Sequence, residues 1–299
     1  MKKKVLNTII NFILVFIFLA GLSLLLYPTF SEYWNSFRQS RAIVNYNKEM
    51  TQIDDEQYEE VRKSAEEYNN RILERTNVYY MDDAEVEDYY SQLKVASNNI
   101  IAYVEIPKIK CSLPVYHGTG EGVLQTAIGH LEWTSLPIGG TSTHSVLSGH
   151  RGLPSAKLFT DLDKMEVGDR FYIRVLNEVL TYEVDQILVV LPEETDDLRI
   201  VEGEDYCTLF TCTPYAVNTH RMLVRGKRVE TVVTQDDSGN DVEVPAMDLE
   251  TLEKQHLAND LQRAVIVVGA IVVIMLGLVI VLKGSKRKKK HGGNANEDK

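Results

Sequence analysis

The chain has 299 residues, of which 44% are hydrophobic, and a formal net charge of −11. Its basic residues concentrate at the two ends, so residues 28–262 carry roughly twice as many acidic as basic side chains. A surface this acidic repels phosphates, which argues against a nucleic-acid partner.

Two apolar segments, residues 5–27 and 264–282, are each long enough to cross a bilayer core of about 30 Å as a helix. Lys2, Lys3 and Lys4, within residues 1–4, precede the first segment, and a basic tail, residues 283–299, follows the second. Positive residues stay on the cytoplasmic side, so the sequence predicts two membrane passes with both termini cytoplasmic and the middle outside. The alternative for the first segment is a cleaved signal peptide. An uncleaved anchor is favoured because no small-residue cleavage site follows it.

Residues 28–100 have a helical pattern. Apolar side chains recur there at alternating steps of three and four, which predicts one helix face packed on a core. Thr51 and Asp54 suggest a capping box at the start of this helix. The residues of the apolar face are Tyr58, Val61, Ala65, Tyr68 and Ile72.

From residue 101 the period changes to two, and short apolar runs alternate with glycine and proline turns. Residues 101–234 therefore predict an antiparallel β-barrel or sandwich, large enough for one core. The chain then turns polar, and residues 235–263 are interpreted as a linker and a juxtamembrane helix. The predicted strands are 101–106, 171–175, 180–184, 207–211, 222–224 and 229–233.

Three cysteines form an odd set, so at least one is unpaired within a monomer. Cys207 and Cys212 lie five residues apart on a predicted strand, which puts their side chains on opposite faces. Cys207 is interpreted as a core residue and Cys111 as structural. Cys212 remains as the candidate nucleophile.

A cysteine thiol is mostly protonated near neutral pH and needs a proton-transfer partner. Among seven histidines, His150 is favoured because it stands where a predicted strand gives way to a loop. His144 would share its face if the strand were straight. His220 adjoins Arg221 and would point away from it.

Arg221 follows Cys212 by nine residues, a spacing that allows the two to meet where adjacent strands join. Arginine is always charged and offers a rigid fork of donors, which suits a peptide carbonyl or its developing oxyanion. Arg225 has the same strand parity and is the rival candidate.

The runs around these residues resemble the sortases, the membrane-bound transpeptidases of Gram-positive bacteria, and in particular class C, which builds pili. The resemblance implies an eight-stranded sortase β-barrel with an N-terminal helical segment, flanked by two transmembrane helices. It also implies a catalytic set of His150 as general acid and base, Cys212 as nucleophile and Arg221 as substrate and oxyanion stabiliser. The runs that carry it are residues 103–109, 129–137, 143–154, 208–212 and 218–226.

The implied reaction is transpeptidation. Cys212 attacks the Thr–Gly bond of an LPXTG-like sorting signal in a pilin, and a lysine amine of the next pilin resolves the thioester, with His150 moving the protons. Pilin subunits, an acceptor lysine or a wall-precursor amine, and the membrane are the implied partners. No cofactor or metal ion is expected.

One departure from class C concerns its lid, which usually carries an Asp-Pro-aromatic anchor before the barrel. The corresponding run here, residues 76–84, contains no proline. Either Tyr80, Met81 or Asp82 occupies the cleft instead, or this stretch is a loop between helices without a gating role.

Three other functions compete with pilus assembly. A hydrolytic cysteine protease would let water resolve the thioester, and a housekeeping sortase would attach proteins to the cell wall. A membrane-anchored adhesin or pilus scaffold would need no nucleophile. A wall-crosslinking transpeptidase of the L,D type would be expected to show a Ser-His-Gly-Cys-type run, which is absent.

Overall fold

The structure is a computed structural model. It describes residues 2–75, 79–231, 234–235, 241–242 and 246–249, together with scattered positions between 251 and 271. The chain divides into two compact units. One comprises residues 1–29 and 254–299, and the other comprises residues 30–253. Much of the predicted linker and juxtamembrane helix, and most of the second apolar segment, fall outside the described residues.

Four helices are described: α1, Lys2–Met50; α2, Asp55–Leu73; α3, Asp83–Ser91; and the short α4, Glu121–Leu124. By length and composition, one helix among the described residues could cross a membrane, with its apolar stretch inside Phe12–Met50 and a mean hydropathy of 2.3. This finding matches the first predicted span.

The start of α2 differs from the predicted capping box. Asp54, and not Thr51, is the N-cap, and its carboxylate accepts the backbone N–H of Gln57. The Thr51 hydroxyl instead donates to the carbonyl of Lys48. The predicted apolar face of α2 is confirmed, since Ala65, Tyr68 and Ile72 are buried.

Eight strands close into a barrel in the order β1-β2-β3-β4-β7-β8-β6-β5, with β1 paired to β5. The pairings β2–β3 and β4–β7 are parallel, so the barrel is mixed and the purely antiparallel prediction was wrong. The bounds are β1 Ile100–Ile106, β2 Cys111–His117, β3 Ile128–His130, β4 Thr143–Ser148, β5 Arg170–Val175, β6 Glu178–Val190, β7 Asp205–Thr213 and β8 His220–Val229.

The region after β8 holds a small hairpin of β9, Thr234–Gln235, and β10, Asp241–Val242. The strand predicted for residues 229–233 is therefore not found as such: β8 ends at Val229, and residues 232–233 lie outside the described part of the chain.

The helices and the barrel share one core. Ile43 and Tyr46 of α1, Tyr68 of α2 and Tyr89 of α3 are buried in the same cluster as the inward residues of the strands. The Tyr46 hydroxyl accepts the backbone N–H of Leu176 at 2.7 Å, which ties α1 to the β5–β6 turn. The segment from residue 30 to residue 96 is therefore a structural part of this unit.

An ion-paired carboxylate, that of Glu105, also links the barrel to the segment that follows it. Glu105 of β1 is 1% exposed and lies 2.7 Å from the Arg174 guanidinium of β5. Its other carboxylate oxygen accepts the backbone N–H of Met247 at 3.0 Å. A buried carboxylate needs such partners, because an unpaired buried charge is costly.

Burial lowers the pKa of His130 to about 3 and that of His117 and His144 to about 4. An unfolded histidine titrates near 6.5, so between that pH and about 4 the unfolded chain binds protons that the folded chain does not. The stability that these buried neutral histidines contribute is therefore fully present above pH 6.5, and it is lost as the pH drops. For His130 alone the loss between pH 7 and pH 5 is about 2 kcal/mol.

We expect a fragment of residues 30–253 with His130→Gln to show a smaller loss of unfolding free energy between pH 7 and pH 5 than the unsubstituted fragment. Urea unfolding at both pH values measures this difference. His220→Gln is the control, since His220 is only partly buried. An equal pH dependence for all three proteins would contradict the role of buried neutral imidazole.

Candidate active site

Cys212 and Arg221 are cross-strand partners. Cys212 stands one residue before the end of β7 and pairs directly with Arg221 near the start of β8. Directly opposed residues of an antiparallel pair have Cβ atoms about 4.5–5.5 Å apart on the same face of the sheet. The predicted meeting of these two residues at a strand junction is found.

His150 joins them from the other side of β7. In the parallel β4–β7 pair, Ser148 opposes Phe210, and His150 and Cys212 each follow two residues later. Since side chains alternate, an equal step of two keeps His150 and Cys212 on one face. His150, Cys212 and Arg221 thus form a row across three neighbouring strands, which we call the His-Cys-Arg row.

This row lies on the outer face of the barrel. Cys207 and Leu209 of β7 are fully buried in the main core, and Phe210, of opposite parity, packs on a separate cluster. Cys212 has the parity of Phe210 and is partly exposed. The predicted separation of Cys207 and Cys212 onto opposite faces agrees with this placement.

Gly149 fixes the approach of His150 to β7. Its backbone N–H donates to Phe210 at 3.0 Å, and its carbonyl accepts the Thr211 hydroxyl at 2.7 Å. A Cβ at this position would lie 2.5 Å from the Cδ1 of Ile128 and 2.7 Å from the Cδ2 of Phe159. Only glycine allows this close packing, so the Ser-Gly-His run has a steric cause.

Arg151 fastens the loop after His150 to the end of β7, a role that the sequence did not suggest. Its guanidinium donates to the Thr213 hydroxyl at 3.0 Å and forms an ion pair with Asp163. Thr213 directly follows Cys212, so Arg151 couples the strand that carries the cysteine to the loop that carries the histidine. Its position next to His150 was the only available sequence signal.

The His150 imidazole is half-buried, and it makes no hydrogen bond to another side chain in the described part of the chain. Partial burial lowers its pKa, and the carboxylate of Glu121 in α4 acts in the opposite direction. Burial favours the neutral ring, which leaves a nitrogen able to accept a proton near neutral pH.

The other described histidines have structural partners. His144 bonds the Arg199 carbonyl at 2.9 Å and the Thr208 hydroxyl at 2.7 Å with its two ring nitrogens. His130 bonds the Tyr89 hydroxyl at 2.9 Å and a backbone carbonyl at 2.8 Å. His117 packs edge-on against the Tyr89 ring and at a tilt against Tyr90, and His220 contacts Thr219. His256 and His291 lie outside the described residues.

The two candidate arginines differ in their partners. Arg225 binds both carboxylate oxygens of Asp185, at 3.1 and 2.7 Å, and stacks over the Tyr206 ring at 4.2 Å. Arg221 contacts only the backbone carbonyls of Asn218 and His220, both at 3.1 Å, and forms no ion pair with a described residue. Its positive charge is therefore available to a ligand beside Cys212.

The remaining two cysteines are unsuited to nucleophilic chemistry. Burial raises the pKa of the Cys111 thiol to about 12 and that of the Cys207 thiol well above its usual range. All three cysteines are free. A thiol held in its protonated form by an apolar environment is a poor nucleophile, because the thiolate is the reactive species.

A second apolar cluster borders the row. Leu198, in the 3₁₀ turn of the β6–β7 connection, packs on Val146 and Leu223 of the outer face, with Trp133 and Phe210 against them. A cavity of about 250 Å³ lies at the end of this cluster, between Trp133, Leu198 and Tyr79. The β6–β7 connection thus forms an apolar wall along the outer face.

The three lid candidates lie between α2 and α3. Asp82 is the N-cap of α3 in a capping box with Glu85, Met81 packs against the main core, and Tyr80 is 69% exposed. The neighbouring Tyr79 hydroxyl lies 2.7 Å from that of Thr195, and its ring packs edge-on at 4.9 Å against Trp133. Thus Tyr79, which the sequence did not single out, connects this segment to the β6–β7 wall.

Among the described residues, no group of three or more His, Cys, Asp or Glu side chains could hold a metal ion.

Comparison with known proteins agrees with this geometry. Residues 104–229 match the sortase domain family. The crystal structure of sortase C1 from Streptococcus agalactiae is 54% identical, with a TM-score of 0.63, and the alignment covers 64% of this chain and all of that one. The sortase C of Streptococcus pneumoniae, described in terms of catalysis and pilin substrate specificity, is 42% identical, with a TM-score of 0.56 and coverage of 64% and 97%.

The sortase A of Streptococcus agalactiae serotype III is more distant, at 29% identity over 145 residues, which are 47% of this chain and 58% of that relative. The chain therefore spans little more than half the length of this relative, whereas it covers nearly all of the two class C structures. On this evidence the chain belongs to the sortase family of cysteine transpeptidases, in class C.

Proposed function

We propose that this chain is a pilin-polymerising transpeptidase that cleaves an LPXTG-like sorting signal between Thr and Gly. The observation that carries the proposal is the His-Cys-Arg row, which brings a nucleophile, a proton-transfer group and a cation without an ion-pair partner onto one face. Further support comes from the class C relatives, one of which is described for its specificity towards pilins.

In the first step the Cys212 thiol gives its proton to His150, and the sulfur attacks the carbonyl carbon of the threonine. Negative charge develops on the carbonyl oxygen, and Arg221 stabilises it with its N–H donors. The bond to glycine breaks, His150 gives its proton to the departing amine, and the pilin remains on Cys212 as a thioester.

In the second step a lysine amine of the next pilin attacks the thioester. His150 is then neutral and accepts the proton of the amine, a role that its lowered pKa favours. Cys212 leaves as a thiolate, and an isopeptide bond joins the two subunits. Cys212 and His150 titrate as a coupled pair, so the pH dependence of the reaction belongs to both.

We further propose that the chain is a two-pass membrane protein with the barrel outside. The apolar stretch of α1 and the lysines before it support the first pass. The apolar segment 264–282 and the basic tail after it support the second pass.

Incubation with an LPXTG-type peptide should increase the intact mass of the chain by the peptide cut after threonine, and Cys212→Ala should show no increase. Arg221→Gln should lower the acylation rate by about 10²–10³-fold, the usual cost of removing an oxyanion donor. The matched control Arg225→Gln should change the rate by less than about fivefold, because it breaks only a partly exposed ion pair.

An adduct on Cys212→Ala, or an equal loss for both arginine variants, would contradict the assigned roles. No adduct on the unsubstituted chain would favour the scaffold function. Preference of the thioester for a wall-precursor amine over a lysine amine would favour the housekeeping function, and preference for water would favour the protease.

A gating role of Tyr80, Met81 and Asp82 remains a proposal, supported by the contacts of Tyr79 with Thr195 and Trp133. Replacing the three residues by Ala, Ala and Asn should raise the acylation rate by on the order of tenfold, equivalent to a closed state favoured by about 1.4 kcal/mol. Asn keeps the cap of α3. An unchanged rate in stopped-flow mass analysis would exclude gating by this segment.

The topology predicts different accessibility at the two ends of the chain. In intact cells a membrane-impermeant thiol reagent should label Cys212, and an epitope tag placed after residue 299 should resist external protease. Detergent permeabilisation is the control, since it should expose the tag. Cleavage of the tag in intact cells would show that the second segment does not return the chain to the cytoplasm.

A further inference from the structure

A second cavity, of about 270 Å³, lies between α1 and the barrel, on the opposite side of His150 from Arg221. The mechanism above does not use it. The residues around it include both polar and apolar side chains, with Ala42 of α1 and Pro114 of β2 among the apolar ones. They include Asn35, Arg38 and Gln39 of α1, Tyr116 of β2, and Thr126 and Ala127 before β3.

The strand register brings this cavity next to the His-Cys-Arg row. In the antiparallel β3–β4 pair Gly129 opposes Ser148, so one further step of two residues sets Ala127 opposite His150. In the parallel β2–β3 pair Val115 opposes Ile128, so one residue back along both segments Pro114 lies beside Ala127. Both Pro114 and Ala127 line the cavity. By strand order the cavity therefore lies on the β2–β3 side of His150, and Arg221 of β8 lies on the other side.

Two hydrogen bonds fasten the helix side of the cavity to this part of the barrel. Asn35 donates to the carbonyl of Ser155, at 2.8 Å, in the loop that begins with His150. Gln39 donates to the carbonyl of Thr126 at 2.6 Å. One wall of the cavity is thus attached to the loop that carries the proton-transfer group, and the cavity opening is fixed relative to His150.

The one charged side chain of the described cavity lining, Arg38, suits the carbonyls of a peptide backbone. Arg38 forms no ion pair with a described residue, and its guanidinium lies 5.9 Å from the Trp34 ring centroid, so its donors are available to a carbonyl or carboxylate. A fixed cation also disfavours the protonated form of a nearby amine, and the neutral amine is the nucleophile. On the α4 side, the Glu121 carboxylate acts electrostatically on His150.

The incoming amine must approach on this side. His150 has to reach the proton of the amine while the amine reaches the thioester carbon on Cys212, and Arg221 occupies the other side of the sulfur. The leaving glycine amine and the incoming lysine amine exchange protons with the same imidazole, so they use the same position. The cavity is the described space that adjoins this position and is lined by donors.

We propose that this cavity is the acceptor site, and that it binds a lysine-bearing peptide segment whose backbone carbonyls pair with Arg38 and whose amine reaches the thioester. This inference rests on the proposed transpeptidase function. When the amine attacks, its C–N bond forms and the C–S bond to Cys212 breaks. The electron pair of the C–S bond goes to sulfur, and the amine proton goes to His150, so no further reactant is needed.

The test uses the full chain in detergent micelles, loaded with an LPXTG-type peptide and desalted, so that thioester loss alone is followed by intact mass. Two nucleophiles are compared. Hydroxylamine is small and does not need the cavity, whereas the peptide acetyl-Gly-Lys-Gly-amide does. We expect the rate with the lysyl peptide to saturate and the rate with hydroxylamine to rise linearly.

Two variants alter the cavity in different ways. Arg38→Gln removes the cation and Ala42→Phe fills the space. Each should raise the half-saturating concentration of the lysyl peptide about tenfold, the loss typical of one charged hydrogen bond. The hydroxylamine rate of the same variant is the reference for its intrinsic reactivity. Arg38→Lys should recover part of the loss. Arg41→Gln is the matched control, because Arg41 is exposed and stacks on Phe37, outside the cavity.

A linear dependence on the lysyl peptide in the unsubstituted chain would overturn the inference. So would an unchanged half-saturating concentration in both cavity variants. In either case, formation of the thioester would still support the proposed function. Failure to form any thioester would instead overturn the proposed function, and the acceptor site with it.

Discussion

The parallel pairing of β4 with β7 is the constraint on which the site depends. Its register sets the loop after β4 beside the last residues of β7, and this places His150 and Cys212 on the same face of neighbouring segments. A slip of one residue would move one of the two side chains to the barrel interior. The barrel prevents such a slip because it is closed, and because the His144–Thr208 and Thr211–Gly149 hydrogen bonds tie the two strands along their length.

Sequence reasoning predicted β1, β5, β7 and parts of β6 and β8, because these depend on local pattern, whereas β2, β3 and β4 were missing from the predicted strands. The alternation in 207–211 was sufficient to place Cys207 inside and Cys212 outside. It was insufficient to choose between Arg221 and Arg225, which have the same parity. That choice depends on Asp185 of the neighbouring strand β6, which is 40 residues away in sequence and lies beside Arg225 only after the sheet has formed. Similarly, no local signal indicates that β4 pairs with a strand about 60 residues later, and in a parallel direction.

The N-terminal helices were predicted as a region packed on the barrel, and the shared core shows a closer relation. Ile43, Tyr46, Tyr68 and Tyr89 complete a core that the strands alone would leave open to solvent. The sortase domain match begins at residue 104, so the conserved domain and the folding unit have different limits. Helix α1 also supplies one wall of the cavity of about 270 Å³ between α1 and the barrel. The part of the chain nearest the first apolar segment thus borders the space proposed as the acceptor site.

The three cysteines have one more consequence. Two of them are enclosed in the core and held as thiols, and Cys212 alone reaches the surface. A thiol reagent in solution therefore has one accessible thiol on the described part of the molecule, that of Cys212. No second thiol lies near enough to the outer face to form an internal disulfide with it. The same property makes Cys212 a site at which a single chemical label counts each molecule once.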